Sequence, residues 1–233
     1  MTDRGPGATI VTGGTGGVGV GVVGALVDAG HEVVVTWIME RELERFPAEL
    51  RERVRLERAD VTAEGDLARL VEGCGQGGVW ALVHLVGGYL DGAPVATMEM
   101  ASWDHQFALN VRSAALALRA VLPGMVERGA GRAVAVGSRA ARRPFAGASA
   151  YAASKAAVIA LVEAASEEVR HAGVCVNCVL PSVIDTPANR AAQPDADPDR
   201  WVRPDEIGSV IAFLCSERSR AITGAAIPVY GRA

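Results

Sequence analysis

The feature that most constrains this chain is its alternation. Runs of β-forming residues are separated, from one end to the other, by segments of helical length. The strand-like runs are 8–14 (ATIVTGG), 31–38 (HEVVVTWI), 54–61 (VRLERADV), 79–88 (VWALVHLVGG), 131–138 (GRAVAVGS), 174–181 (VCVNCVLP) and 225–231 (AAIPVYG). Helices are expected over 18–30, stopped by Gly30, over 40–54 with an interruption at Pro47, over 62–74 with Thr62 as N-cap, over 101–129, over about 150–172 and over 203–217 with Pro204 in the first turn. Strands joined through helices return to the same end of a sheet and pair in parallel. Seven of them predict one doubly wound, Rossmann-like α/β domain spanning 1–233, with a parallel seven-stranded sheet. Half of the residues are apolar, enough to cover both faces of such a sheet. No linker, internal repeat or second domain interrupts the pattern.

A formal net charge of −4 gives no electrostatic case for a nucleic-acid partner, and no basic cluster beside an amphipathic helix points to a membrane surface. The N-terminus is short and polar, and no stretch is expected to reach the roughly 20 apolar residues that span a bilayer. The expectation is a cytoplasmic protein. Of the cysteines at 74, 175, 178 and 215, Cys175 and Cys178 form a C-x-x-C pair. On a strand, residues three apart face opposite sides, so buried reduced thiols and no metal site are expected.

The turn TGGTGGVG (12–19) joins the first strand to the first helix. Glycines at 13, 17 and 19 allow a tight turn and a close approach to a pyrophosphate, which the helix N-terminus would also attract. An acidic residue closing the second strand would bind the ribose 2′-OH of NAD, but Trp37 stands there. With no carboxylate to repel a 2′-phosphate and Arg41 and Arg45 following, the balance tips towards NADP, with NAD left open.

In YAASK (151–155), Tyr151 and Lys155 share a helix face, with Ser154 beside them. A free phenol, with a pKa near 10, exchanges protons poorly at neutral pH, and a neighbouring ammonium lowers that value. Such a pair suits proton transfer during carbonyl reduction. Ser138 ends the fifth strand thirteen residues earlier and would be a donor to a developing alkoxide.

These motifs together resemble the short-chain dehydrogenase/reductase family over nearly the whole chain. The family's T-G-x-x-x-G-x-G is matched by Thr12, Gly13, Gly17 and Gly19, its Asp-Val by Asp60 and Val61, its helix Asn by Asn110, and its Ser, Tyr and Lys by Ser138, Tyr151 and Lys155. PSVIDT (181–186) is similar to its P-G-x-x-x-T strand end. The resemblance implies Tyr151 as general acid or base, Ser138 as the group polarising the carbonyl, Lys155 as the cation lowering the Tyr pKa and binding the nicotinamide ribose, and Asn110 as holder of a relay water. It implies cofactor contacts from Thr12, Gly13, Thr15, Gly16, Gly17, Val18 and Gly19, from Trp37, from Asp60 and Val61, from Leu85, Val86 and Gly87, and from Pro181, Ile184 and Thr186, besides Tyr151 and Lys155. It also implies a homodimer or homotetramer built on the helices carrying Asn110 and Tyr151.

Three departures stand out. The family's N-N-A-G after strand four is here HLVG (84–87), Ser182 replaces a glycine, and no basic residue precedes Gly17, which weakens the case for NADP. His84 is expected to be a buried, satisfied core residue. The expected substrate is a small carbonyl or secondary alcohol, under a lid at about 187–204. Arg139, Arg142 and Arg143 would face an acidic carrier, an anionic substrate or only solvent. Two alternatives remain. The lid and VGGY (86–89) resemble the dihydropteridine reductase branch, although Trp37 departs from it, and a non-catalytic dinucleotide sensor could use the same fold.

Overall fold

A computed structural model describes residues 5–90 and 92–232. The expected domain limits at residues 1 and 233 therefore lie outside the described residues. The strands are β1 (Ala8–Thr12), β2 (Glu32–Trp37), β3 (Arg55–Arg58), β4 (Val79–His84), β5 (Gly131–Val136), β6 (Val174–Pro181) and β7 (Ala226–Val229). They form one sheet in the order β3-β2-β1-β4-β5-β6-β7, with every pair parallel. The chain leaves β1 in one direction through β2 and β3, then crosses back to place β4 on the other side of β1. The crevice above β1 and β4 is thus the switch point where open α/β sheets bind ligands.

One face of the sheet carries α1 (Gly19–Asp28), α3 (Ala48–Arg51) and α9 (Pro204–Leu214), while the charged α2 (Glu40–Arg45) that follows β2 buries no residue. The glycines of α1 let it lie close to α9. A Cβ on Gly21 would sit 2.5 Å from the Pro204 carbonyl carbon, and one on Gly208 would sit 2.6 Å from the Gly21 oxygen. The other face is covered by α4 (Glu64–Glu72), α6 (Ser113–Arg128) and α7 (Ser149–Val169), with α5 (Met100–Phe107) leading into α6. The register of β4 against β1 slips by one residue at Trp80, so Trp80 and Ala81 both pack on the α1/α9 side. Indole Nε1 of Trp80 donates to the Cys215 carbonyl at 2.8 Å, which satisfies its one polar atom.

Three local expectations are corrected. Thr62 does not cap α4: its hydroxyl donates to Asp60 Oδ1 at 2.7 Å, and the helix starts after Ala63 without a side-chain cap. β3 is only four residues long, because an edge strand of Arg, Leu and Glu has little to bury. The run Met100–Arg128 is long and apolar enough, by length and composition, to cross a membrane. Its apolar content is used against the sheet, where Leu116, Ala117, Leu118, Val121 and Met125 are buried.

Cys178 packs with Val176 and Leu180 on the α6/α7 face, and Cys175 points to the other side, where its thiol reaches the Arg220 carbonyl. The C-x-x-C thiols therefore diverge. Short α8 (Pro187–Ala192) lies in the excursion expected as a lid. The excursion is tied at its base by a bridge between Ile184 and Val202.

Candidate active site

The C-terminal ends of the strands hold two adjoining cavities that share Val18, Leu85 and Gly87. The first, of about 360 Å³, is bounded by Gly13, Thr15, Gly16, Gly17 and Gly19 of the first turn, by Trp37, by Asp60 and Val61, and by Val86. The turn needs its glycines for different reasons. Gly13 has φ +69°, and its N–H donates to the Thr36 hydroxyl at 3.2 Å. A Cβ on Gly19 would meet the Gly14 oxygen at 2.3 Å. A glycine-lined turn leading into a ten-residue helix, in the middle of an elongated cleft, fits a dinucleotide pyrophosphate.

The second cavity, of about 570 Å³, is lined by Ser138, Tyr151 and Lys155 together with Pro181 and Ile184. Ser138 leaves β5 in extended backbone (φ −164°) and caps the next turn by accepting from the Ala140 N–H at 3.1 Å. Tyr151 and Lys155 stand one turn apart on α7, and the Lys155 ammonium donates to the Val136 carbonyl at 2.7 Å. Burial pulls the Lys155 pKa down to about 8. Burial also pushes the Tyr151 phenol above its usual value, while its hydrogen bond with Ser138 pulls the other way. The net direction on the phenol is upward, opposite to the lowering by Lys155 expected from the sequence. The reason is that desolvation of a buried phenolate outweighs the stabilising contacts.

Asn110 is buried beside this cavity, inside a π-helical turn (Ala108–Arg112) between α5 and α6. The wider turn directs its amide inward. Its Oδ1 accepts from the Gly88 N–H at 2.8 Å, and Nδ2 donates to the Gly88 carbonyl at 3.2 Å and to Ser154 Oγ at 2.9 Å. Ser154 Oγ in turn donates to the Tyr151 carbonyl at 2.8 Å. A Cβ on Gly87 would come within 2.5 Å of Asn110 Oδ1 and 3.0 Å of Lys155 Nζ, so both atoms border the same space.

Two sequence-predicted contacts lie off the cavity walls. Thr12 is fully buried beneath the turn, with its hydroxyl on His84 Nδ1 at 2.9 Å. His84 also reaches Ser113 Oγ at 3.1 Å, and burial, helped by the charge of Lys155, depresses its pKa to about 3. It is a neutral tie between β1, β4 and α6. Thr186 is buried as N-cap of α8, where it accepts from the Asn189 N–H at 3.2 Å, and its side chain lies where a Cβ on Gly17 would touch it at 3.2 Å.

The sequence reading missed Glu42, Phe145 and the placement of Tyr89. Glu42 lines the first cavity and accepts from the Thr15 hydroxyl at 3.3 Å. Tyr89 packs edge-on against Tyr151 (centroids 5.5 Å apart) and tilted against Phe145 (6.0 Å), forming the outer wall of the second cavity. Phe145 was findable as an aromatic six residues before Tyr151.

Comparison with known proteins agrees with this geometry. The family described as short chain dehydrogenase matches residues 8–197. Dehydrogenase/reductase SDR family member 4 of Oryctolagus cuniculus is 31% identical, over 96% of this chain and 92% of its own. Acetoacetyl-CoA reductase of Allochromatium vinosum is also 31% identical, over 95% of this chain and 96% of its own. A short-chain type dehydrogenase/reductase structure from Mycobacterium ulcerans superposes with a TM-score of 0.90 at 28% identity, covering 97% of this chain and 88% of the other. A parallel seven-stranded fold, a glycine turn at its switch point and this matched sequence lead to one conclusion: the chain belongs to the short-chain dehydrogenase/reductase family of nicotinamide-dependent oxidoreductases.

Proposed function

We propose that this protein reduces a ketone, or oxidises the matching secondary alcohol, with Tyr151 as the proton-transfer group. The observation that carries this is the convergence of Ser138, Tyr151 and Lys155 on one cavity that opens directly into the glycine-lined cleft. A nicotinamide dinucleotide bound in that cleft would supply or accept the hydride. Ser138 Oγ donates to the carbonyl oxygen and polarises it. Tyr151, which like any phenol carries its proton at neutral pH, gives it to the oxygen as the C=O becomes CH–OH. The reverse direction needs the phenolate and is favoured by high pH. Lys155 holds positive charge at the cavity floor, and Asn110, whose Oδ1 retains a free lone pair, suits a relay water in the space it shares with Lys155 beside Gly87. The excursion at 187–204 closes the cavity through Asn189 and Gln193.

Glu42 changes the cofactor reading. The preference for NADP rested on the lack of a carboxylate after β2, but the short link Ile38–Met39 into α2 places Glu42 on the first cavity beside Thr15. A carboxylate there accepts from a ribose hydroxyl and repels a 2′-phosphate. NAD is therefore the proposed cofactor. Ala156, Ala160 and Ala164 form an exposed small-residue stripe on α7, which supports a homodimer or homotetramer built on this helix, testable by solution mass. The acetoacetyl-CoA reductase among the relatives makes β-keto acyl compounds a sensible start for a substrate panel. The test is oxidation of NADH and of NADPH with small ketones, a β-ketoacyl thioester and a quinonoid pterin. Turnover of ketones with NADH supports the reading. Turnover of the pterin alone replaces it with the dihydropteridine reductase alternative.

A further inference from the structure

The second cavity has a local charge opposite in sign to that of the whole chain. The protein carries a net −4, yet the described residues lining this cavity include Arg139, Arg143 and Lys155 and no carboxylate. Lys155 belongs to the catalytic floor. The two arginines belong to the rim. The Arg143 N–H donates to the Arg139 carbonyl at 2.8 Å, so one short turn after Ser138 carries both to the same side of the opening.

The surroundings of Arg143 differ from those of the other arginines nearby. Arg142, between them in sequence, turns away from the cavity towards Glu163 at 3.9 Å. Arg190 and Arg203 each pair with an aspartate, Asp185 and Asp205. Arg139 lies over the Tyr230 ring, with its guanidinium carbon 5.5 Å from the centroid, and this contact helps fix its direction. Arg143 forms no side-chain hydrogen bond or ion pair among the described residues. An arginine with all its donors free, at the mouth of a cavity lined by no described acid, is poised for an oxyanion. Tyr89, edge-on to the Tyr151 ring, and Phe145, tilted against Tyr89, line the same cavity as the two arginines and are 48% and 56% exposed. They offer an apolar surface to whatever spans the distance from the reacting carbonyl to the guanidinium.

We propose that the substrate is an anionic carbonyl compound. Its C=O sits at Ser138 and Tyr151, its apolar body lies against Tyr89 and Phe145, and a carboxylate, sulfonate or phosphate is held by Arg143, assisted by Arg139. Arg143 is then a specificity-determining residue. This rests on the carbonyl-reductase reading above and adds the charge of the substrate to it.

The test compares keto acids, with the carboxylate placed progressively farther from the ketone, with their methyl esters, in the wild-type protein and in the Arg143→Gln, Arg143→Lys and Arg143→Glu variants. For at least one spacing, kcat/KM of the acid should exceed that of the ester by about tenfold or more, since hydrogen bonds to a charged partner contribute this much. Arg143→Gln should remove that advantage, mainly through KM, so that acid and ester are turned over with similar kcat/KM. Arg143→Lys should keep part of it, and Arg143→Glu should favour the ester. Raising the salt concentration should raise KM for the acid alone. Equal kcat/KM for acids and esters at every spacing, or an Arg143→Gln variant that loses both alike, would overturn the anionic substrate and leave the reductase standing. No turnover of any ketone or ester, with NADH still bound, would overturn both.

Discussion

Replacing Lys155 by methionine tests whether the site is as buried as the structure shows. The lysine is 4% exposed, and its pKa falls from 10.5 to about 8. The folded chain therefore holds this proton less tightly than the unfolded chain does. Between about pH 8 and 10.5 the unfolded state binds more protons, so stability rises with pH across that window. At 1.36 kcal/mol per pH unit, the buried ammonium costs about 3 kcal/mol at neutral pH, of which about 2 kcal/mol is recovered by pH 9.5. Cys178 and Cys215 act in the opposite sense. Their thiols are raised by burial to about 11 and 12, so they withhold protons that the unfolded chain releases above pH 9. The diagnostic quantity is thus the difference between wild type and variant, in which the thiols largely cancel. Lys155→Met loses the bond to the Val136 carbonyl, worth about 1 to 2 kcal/mol, and gains the relieved desolvation. It should be inactive yet about 1 to 2 kcal/mol more stable than wild type at pH 7. That advantage should vanish or reverse by pH 9.5. Urea unfolding from pH 7 to 9.5 measures both. A wild-type-minus-variant difference that stays flat over this range would refute the buried, depressed lysine.

Three further outcomes follow from the geometry. Glu42→Gln should narrow the preference for NADH over NADPH by about tenfold or more, measured as the ratio of kcat/KM values, whereas a wild-type protein that prefers NADPH would contradict the role given to Glu42. Gly87→Ala at φ +142° would press a methyl against Asn110 Oδ1 and should cost about 2 to 4 kcal/mol and most of the activity. Gly24→Ala, on α1 with nothing within 4 Å of its added Cβ, should instead stabilise by about 0.5 to 1 kcal/mol, and thermal unfolding separates the two.

The strand and helix order was legible because most elements have their own apolar run or a stop signal, although charged β3 and α2 have no apolar run, and β6 was bounded correctly to the residue at Val174–Pro181. The glycine turn and the Ser138, Tyr151 and Lys155 set were legible because each depends on local spacing around a strand end. What escaped depends on where a turn sends the chain. Glu42 lies five residues beyond Trp37, and only the direction the chain takes after that strand end brings it to face Thr15. The upward shift of the Tyr151 pKa was equally hidden, since burial is a property of the packed site and the sequence shows only the neighbouring lysine. The slip at Trp80 arises in the pairing of β4 with β1, which no run of residues in either strand announces.

The most direct test of the central claim is Tyr151→Phe, which removes one oxygen from the cavity wall and leaves the ring packed against Tyr89. Rapid mixing with NADH and a reducible ketone, alongside a dinucleotide-binding titration, should show unchanged affinity for the dinucleotide and a hydride-transfer rate lower by about 100-fold or more. Binding and transfer both at wild-type levels would contradict Tyr151 as the proton-transfer group.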